Sequence, residues 1–264
     1  MKYLPTSQFR HLNTFSLVAL LISFVALSAP IQSQAQDELK VSELIGAWSS
    51  IITHQGHTLT QVAIVDAAYM SVSIFDQEQH TFHGTYGGQW QLEGDEMTLT
   101  FEFNTISPGR VGSTQTAKVL WENGQIRFAD DEVSWERIDD GTPGALPGAW
   151  LITGRERNGE MRERQIGPRK TMKILSGTRF QWIAYNTETK EFKGTGGGTY
   201  TTVDGKYTET IEFFSRDGNR VGAVLPFDFS LQNDKWHHEG LSSKGSPIHE
   251  VWTLRIELDN QAEK

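Results

Sequence analysis

The side chains best suited to chemistry fall in the last third of the chain: Glu209, His237, His238 and Glu250. Around Glu209 the sequence alternates. Tyr207, Glu209, Ile211 and Phe213 are predicted on one face of a strand, and Thr208, Thr210, Glu212 and Phe214 on the other. A carboxylate on an otherwise apolar face has to be paired or has to line a cavity. The same argument applies to Glu250, which shares its face with Ile248, Trp252 and Leu254. Trp236 and His238 share a face of the preceding strand, and His237 takes the opposite one. Trp182, Tyr200, Tyr207, Glu209, Trp236, Glu250, Trp252 and one of His237 and His238 are therefore expected to line a single barrel interior. Apolar walls with a few convergent polar groups suit a small hydrophobic or amphipathic ligand. The competing expectation is a filled barrel whose carboxylates bond to Arg or Tyr inside it, leaving an envelope protein that works through its surfaces.

Other chemistries find little support. A pair such as Glu209 with His238 offers acid–base catalysis, but there is no G-x-S-x-G and no Cys, so binding ranks ahead of catalysis. His54 with His57 and His80 with His83 have H-x-x-H spacing, which on a strand sends the two rings to opposite faces. His237, His249 and Glu250 lie on what read as adjacent final strands, yet no spacing fits a known ligand set, and no metal or other cofactor is expected. The glycine run Gly194–Gly198 is not followed by Lys-Ser/Thr or by a helix, so it reads as a bulge or barrel corner rather than a phosphate loop.

These residues must be positioned by strands. Turn pairs recur about every ten residues, at Asn123-Gly124, Asp204-Gly205 and Asp217-Gly218. No convincing helical period appears, apart from a short helix expected before each G-A-W, as in Glu38–Leu44. The chain also repeats itself. Leu44–Trp48 matches Leu146–Trp150. Phe82–Trp90 matches Phe192–Tyr200 through F-x-G-T-x-G-G-x-aromatic; Phe101–Phe103 matches Ile211–Phe213, and Arg110–Gly112 matches Arg220–Gly222, all three at an offset of 110. Each half closes on a Trp followed by an Arg: Trp135 with Arg137, and Trp252 with Arg255. A duplicated domain follows from matches kept in one order. The fold class predicted is all-β, with two tandem antiparallel barrels over residues 37–140 and 148–264. Between them lies a Pro/Gly-rich linker, residues 141–147, short enough for the two to touch.

Residues 1–35 read as a signal peptide. Lys2, Arg10 and His11 precede the apolar run Phe15–Leu27, and Ser33-Gln34-Ala35 supplies the cleavage pattern. The run is shorter than the roughly 20 residues of a membrane-crossing helix. Cleavage near Ala35 leaves a chain with no membrane span and no Cys for a lipid anchor, so the expected location is the periplasm or outside the cell. Removing Lys2 and Arg10 with the signal takes the net charge from −9 to −11. Phosphate backbones and anionic membranes repel so acidic a chain, which argues against nucleic acid as a partner.

The G-x-W near the start of a small meandering β domain, with an Arg near its end, resembles the lipocalin and calycin superfamily. The run G-T-G-G-G-T-Y, then D-G-K-Y-T-E-x-I-E-F, then D-K-W-H-H and a final E-V-W, is similar to a family of lipocalin-like secreted bacterial domains of unknown function, the DUF4488 type. It covers most of residues 146–256 and only the skeleton of 44–138. The resemblance implies that a Trp plugs the closed end of each barrel with an Arg packed across it: Trp48 with Arg137, and Trp150 with Arg255. The first half departs from the pattern, with Met97 for Tyr207 and Leu99 for Glu209, so the ligand site is expected in the second.

Overall fold

A computed structural model describes residues 39–122, 124–241 and 245–262; the expected signal peptide, residues 1–35, and Asn123 of one expected turn lie outside them. The first half is a closed eight-stranded antiparallel barrel: β1 (Gly46–His54), β2 (His57–Val65), β3 (Tyr69–Asp76), β4 (Thr81–Glu93), β5 (Glu96–Asn104), β6 (Thr114–Glu122), β7 (Gln125–Phe128) and β8 (Ser134–Asp139), with β8 pairing back onto β1. The second half repeats the meander: β9 (Gly148–Arg157), β10 (Glu160–Glu163), β11 (Arg169–Leu175), β12 (Arg179–Asn186), β13 (Phe192–Val203), β14 (Lys206–Phe214), β15 (Val224–Gln232), β16 (Lys235–Leu241) and β17 (Pro247–Leu254). Here β17 closes onto β9. A short helix α1 (Val41–Leu44) precedes β1, but the one expected before the second G-A-W does not form, since residues 140–147 carry Pro143 and Pro147 and run as bends; α2 (Arg255–Ala262) follows β17. Among the described residues no helix is long and apolar enough to cross a membrane.

The glycine runs make the corners. The register slips at Gly87/Gly88 on β4 and at Gly197/Gly198 on β13, with Gly88 and Gly198 at φ +156° and +157°. A Cβ on Gly197 would stand 2.5 Å from the Phe180 carbonyl oxygen and 2.6 Å from the Phe213 ring. This is a bulge that brings one backbone onto another. Its effect on β14 corrects the strict alternation expected there. Ile211 faces the barrel interior, but Phe213, past the bulge, packs between the barrels while Phe214 turns inward against Trp182.

The two G-A-W tryptophans sit alike. The Trp48 indole donates to the Leu44 carbonyl at 2.9 Å, and the Trp150 indole to that of Leu146 at 3.1 Å. Arg137 lies 4.1 Å over the Trp48 ring and donates to the carbonyls of Ile45 and Glu43. Arg255 is different, which corrects the pairing expected for it. In β8 the partner of Trp48 is Arg137; in β17 the partner of Trp150 is Leu254. Arg255 comes one residue later, and one residue along a strand reverses the face. It leaves the barrel interior, stacks 4.0 Å over Tyr69 of the first barrel and holds the Glu102 carboxylate with two nitrogens at 2.6 and 2.5 Å.

That contact belongs to a core shared by the two barrels. Phe103 packs on Tyr185 with ring centroids 5.0 Å apart, and Phe213 stacks on Phe75 at 4.9 Å. At the repeat offset of 110, Phe103 corresponds to Phe213 and Phe75 to Tyr185, so the two contacts are one contact exchanged between halves. Gln181 donates to Thr85 and to Thr195, again a corresponding pair, at 2.9 and 3.0 Å. This self-complementary pattern is that of a two-fold interface. The connector is held too: Asp139 accepts from Ser176 Oγ at 2.7 Å and from the Thr178 backbone at 2.9 Å.

Candidate functional site

The interior of the second barrel is charged at its centre. Met172 and Ile174 of β11 face the first barrel, so the intervening Lys173 points inward. It meets Glu209 of β14 at 2.8 Å, both side chains about 5 % exposed. Tyr207 donates to the same carboxylate oxygen at 2.8 Å. The Lys173 ammonium also lies 4.9, 5.0 and 5.4 Å from the ring centres of Tyr207, Trp236 and Trp252. Burial, and then the Glu209 carboxylate, push the Tyr207 phenol well above its ordinary range, so it stays a donor.

Above this pair opens a cavity of about 560 Å³. Glu209 and Lys173 form part of its wall together with Trp182, His238, Glu250 and Trp252. His238 is 2 % exposed, and neither of its ring nitrogens has a hydrogen-bond partner among the described residues. Its closest acid, Glu250, stands 3.6 Å from Nδ1, beyond hydrogen-bond reach. Burial, reinforced by the Lys173 ammonium, holds the imidazole below its usual range against the pull of Glu250 and Glu209, so it is neutral at pH 7. Burial alone would raise the Glu250 carboxyl. His238 in front of it, with Lys173 and Arg155, outweighs that and keeps it below the usual carboxylate range. The Trp252 indole N–H is likewise unpartnered.

Trp182, Glu209, His238, Glu250 and Trp252 thus come together. Four other expected site residues do not line the cavity. Tyr207 and Trp236 lie packed among rings in the core. Tyr200 is tied to the Ser176 carbonyl at 2.6 Å, beside the connector. His237 takes the other face of β16 and meets His249 at 3.3 Å. Among the described residues no group of three His, Cys, Asp or Glu is arranged to hold a metal ion.

Sequence reasoning missed Lys173, Arg155 and Arg164, all on the cavity wall. The signal for Lys173 was its place between Met172 and Ile174 in the apolar end of β11. The first barrel also has a cavity, of about 420 Å³, whose wall includes Arg110, Asp130 and Asp131 but is apolar at the three positions that carry Lys173, Glu209 and His238 in the second. By register, Ala63 stands where Lys173 is, Leu99 where Glu209 is, and Phe128 where His238 is.

Residues 145–264 match DUF4488, a domain of unknown function. The matched segment spans the whole second barrel, cavity included. No curated protein matches the chain.

Proposed function

We propose that the chain is an exported, lipocalin-like binding protein, built by duplication of one barrel, whose DUF4488-matching half holds a small amphipathic molecule. The observation that carries this reading is His238. It is a neutral imidazole in the wall of a cavity of about 560 Å³, with a donor and an acceptor both unused. A buried polar group without a partner is costly unless something supplies one. The 110-residue offset and the exchanged contacts between the halves support duplication, and the basic, apolar and small-residue order of residues 1–35 supports export to the periplasm or beyond.

Fluorescence titration with anilinonaphthalene probes tests the site. Ala223 lines the cavity, so A223W should fill it and abolish binding there, and H238F, which installs the first barrel's residue, should weaken it in a folded protein. Binding unaffected by either change would remove the reading. A second reading, acid–base catalysis, is favoured by one observation: His238 Nδ1 stands 3.6 Å from the Glu250 carboxylate in the cavity wall. The partner is Glu250, because Glu209 is engaged by Lys173 and Tyr207. Turnover of a bound ligand that H238Q and E250Q both stop is the result that would establish it.

A further inference from the structure

The two barrels differ in their second strand. In the first, the hairpin running from Gly46 to its partner Val65 is unbroken. In the second, the hairpin from Gly148 to its partner Leu175 is eight residues longer, and its returning strand is split into β10 and β11 by residues 164–168. Arg164 opens that break. Its backbone N–H is fixed to the Thr153 carbonyl at 2.8 Å, and its side chain reaches the cavity wall.

The other charges on that wall are accounted for. Lys173 is paired with Glu209 at 2.8 Å, Arg155 with Glu250 at 3.6 Å, and Arg220 with Asp217 at 3.6 Å. Arg164 forms no ion pair within 4 Å among the described residues; burial and the repulsion of Arg169, Arg155 and Arg157 outweigh the pull of Glu250 and hold its guanidinium below the ordinary range. The cavity wall carries four cations, Arg155, Arg164, Lys173 and Arg220, against three carboxylates, Glu209, Asp217 and Glu250, a local positive excess in a chain with a net charge of −9. It focuses anions towards a partly desolvated guanidinium. A cation fits poorly, because the aromatic rings that would cradle it already hold the protein's own Lys173 ammonium.

Resting on the reading that this cavity binds a ligand, we propose that the second barrel is selective for amphipathic organic anions: a carboxylate-, sulfonate- or phosphate-type head against Arg164, and an apolar body along Trp182, Phe214 and Ile248 towards His238. Arginine suits such heads because its planar fork gives two donors to two oxygens.

Two probes with one skeleton and different charge separate the claims: 8-anilinonaphthalene-1-sulfonate, an anion, and N-phenyl-1-naphthylamine, which is neutral. They are titrated into the whole folded chain carrying A117W, which fills the first barrel's cavity, and into the same protein with A223W added. The expected result is a site sensitive to A223W that prefers the sulfonate. R164Q should weaken the sulfonate by roughly tenfold or more, as loss of a charged hydrogen bond does, and change the neutral probe little; R164K should restore part of the preference. Equal affinity for both probes, or a preference that R164Q leaves intact, overturns the anion inference and leaves the binding reading standing. Absence of any A223W-sensitive binding overturns both.

Discussion

Breaking the contact between Arg255 and Glu102 tests the assignment of Arg255 to the junction of the barrels. Arg255 is 4 % exposed and gives two hydrogen bonds to Glu102, while Tyr185 donates a third to that carboxylate at 2.5 Å. Against burial, these contacts hold the guanidinium above its ordinary range and the Glu102 carboxyl below its own. E102L leaves a buried guanidinium with the Tyr185 hydroxyl at 3.2 Å and, for its charge, the half-exposed Asp259 at 3.7 Å. Removing one partner of a buried pair costs about 3–5 kcal/mol, whereas replacing both by apolar groups of similar volume is often neutral. E102L and R255M should therefore each destabilise by about 3 kcal/mol, and the double variant by much less than their sum. Urea unfolding of the four proteins measures this, with the coupling read from the cycle. A second cycle pairs R255M with W150F, and there the coupling should be near zero. Additive losses in the first cycle, or strong coupling in the second, would refute the junction assignment and return Arg255 to the barrel plug.

Other outcomes follow from the same geometry. W48A and W150A should each cost roughly 3–5 kcal/mol in thermal or urea unfolding, since each empties a buried, hydrogen-bonded indole site. Lys173, Glu209 and Glu250 surround His238, whose folded-state value is depressed. An unfolded chain takes up a proton there near pH 6.5, and the folded one does not, so stability is full above that pH and falls below it. Between pH 7.5 and 5.5 H238Q should lose about 1 kcal/mol less than the parent protein; equal losses would mean that His238 is charged in the fold. N-terminal sequencing of the exported protein should begin near Gln36, and an intact Met1 would remove the export proposal.

The barrel meander and its corners were legible because turn pairs and glycine bulges are local signals, repeated once in each half. Glu209 was legible as an inward carboxylate, since alternation places it among Tyr207 and Ile211. The same rule misplaced Phe213, because Glu212 is an extra, unpaired residue of β14 opposite Gly197 and Gly198 and reverses the face beyond it; the glycines that permit this bulge lie on the neighbouring strand. Arg255 was misread through parity alone: it follows Trp252 by three residues where Arg137 follows Trp135 by two, and spacing that looks equivalent in a motif is opposite on a strand. Lys173 escaped because its direction depends on what covers the other face of β11. That cover is the first barrel, a tertiary fact. Helix α2 gave no apolar periodicity; it is anchored by Arg255 and by Asp259, which accepts from Tyr69.

The exchanged contacts between Phe103 and Tyr185 and between Phe213 and Phe75 have a consequence for what the molecule can carry. A self-complementary face on a free barrel draws in a second copy only at sufficient concentration. Here the connector keeps the partner at an effective concentration in the millimolar range, so the face is saturated at any dilution. Tethering also lifts a restriction of symmetry. Two identical barrels across such a face would have to carry identical cavities, whereas two halves of one chain are free to differ. Ala63, Leu99 and Phe128 in the one wall against Lys173, Glu209 and His238 in the other are that freedom in use: one molecule offering two differently lined compartments back to back, in fixed one-to-one ratio.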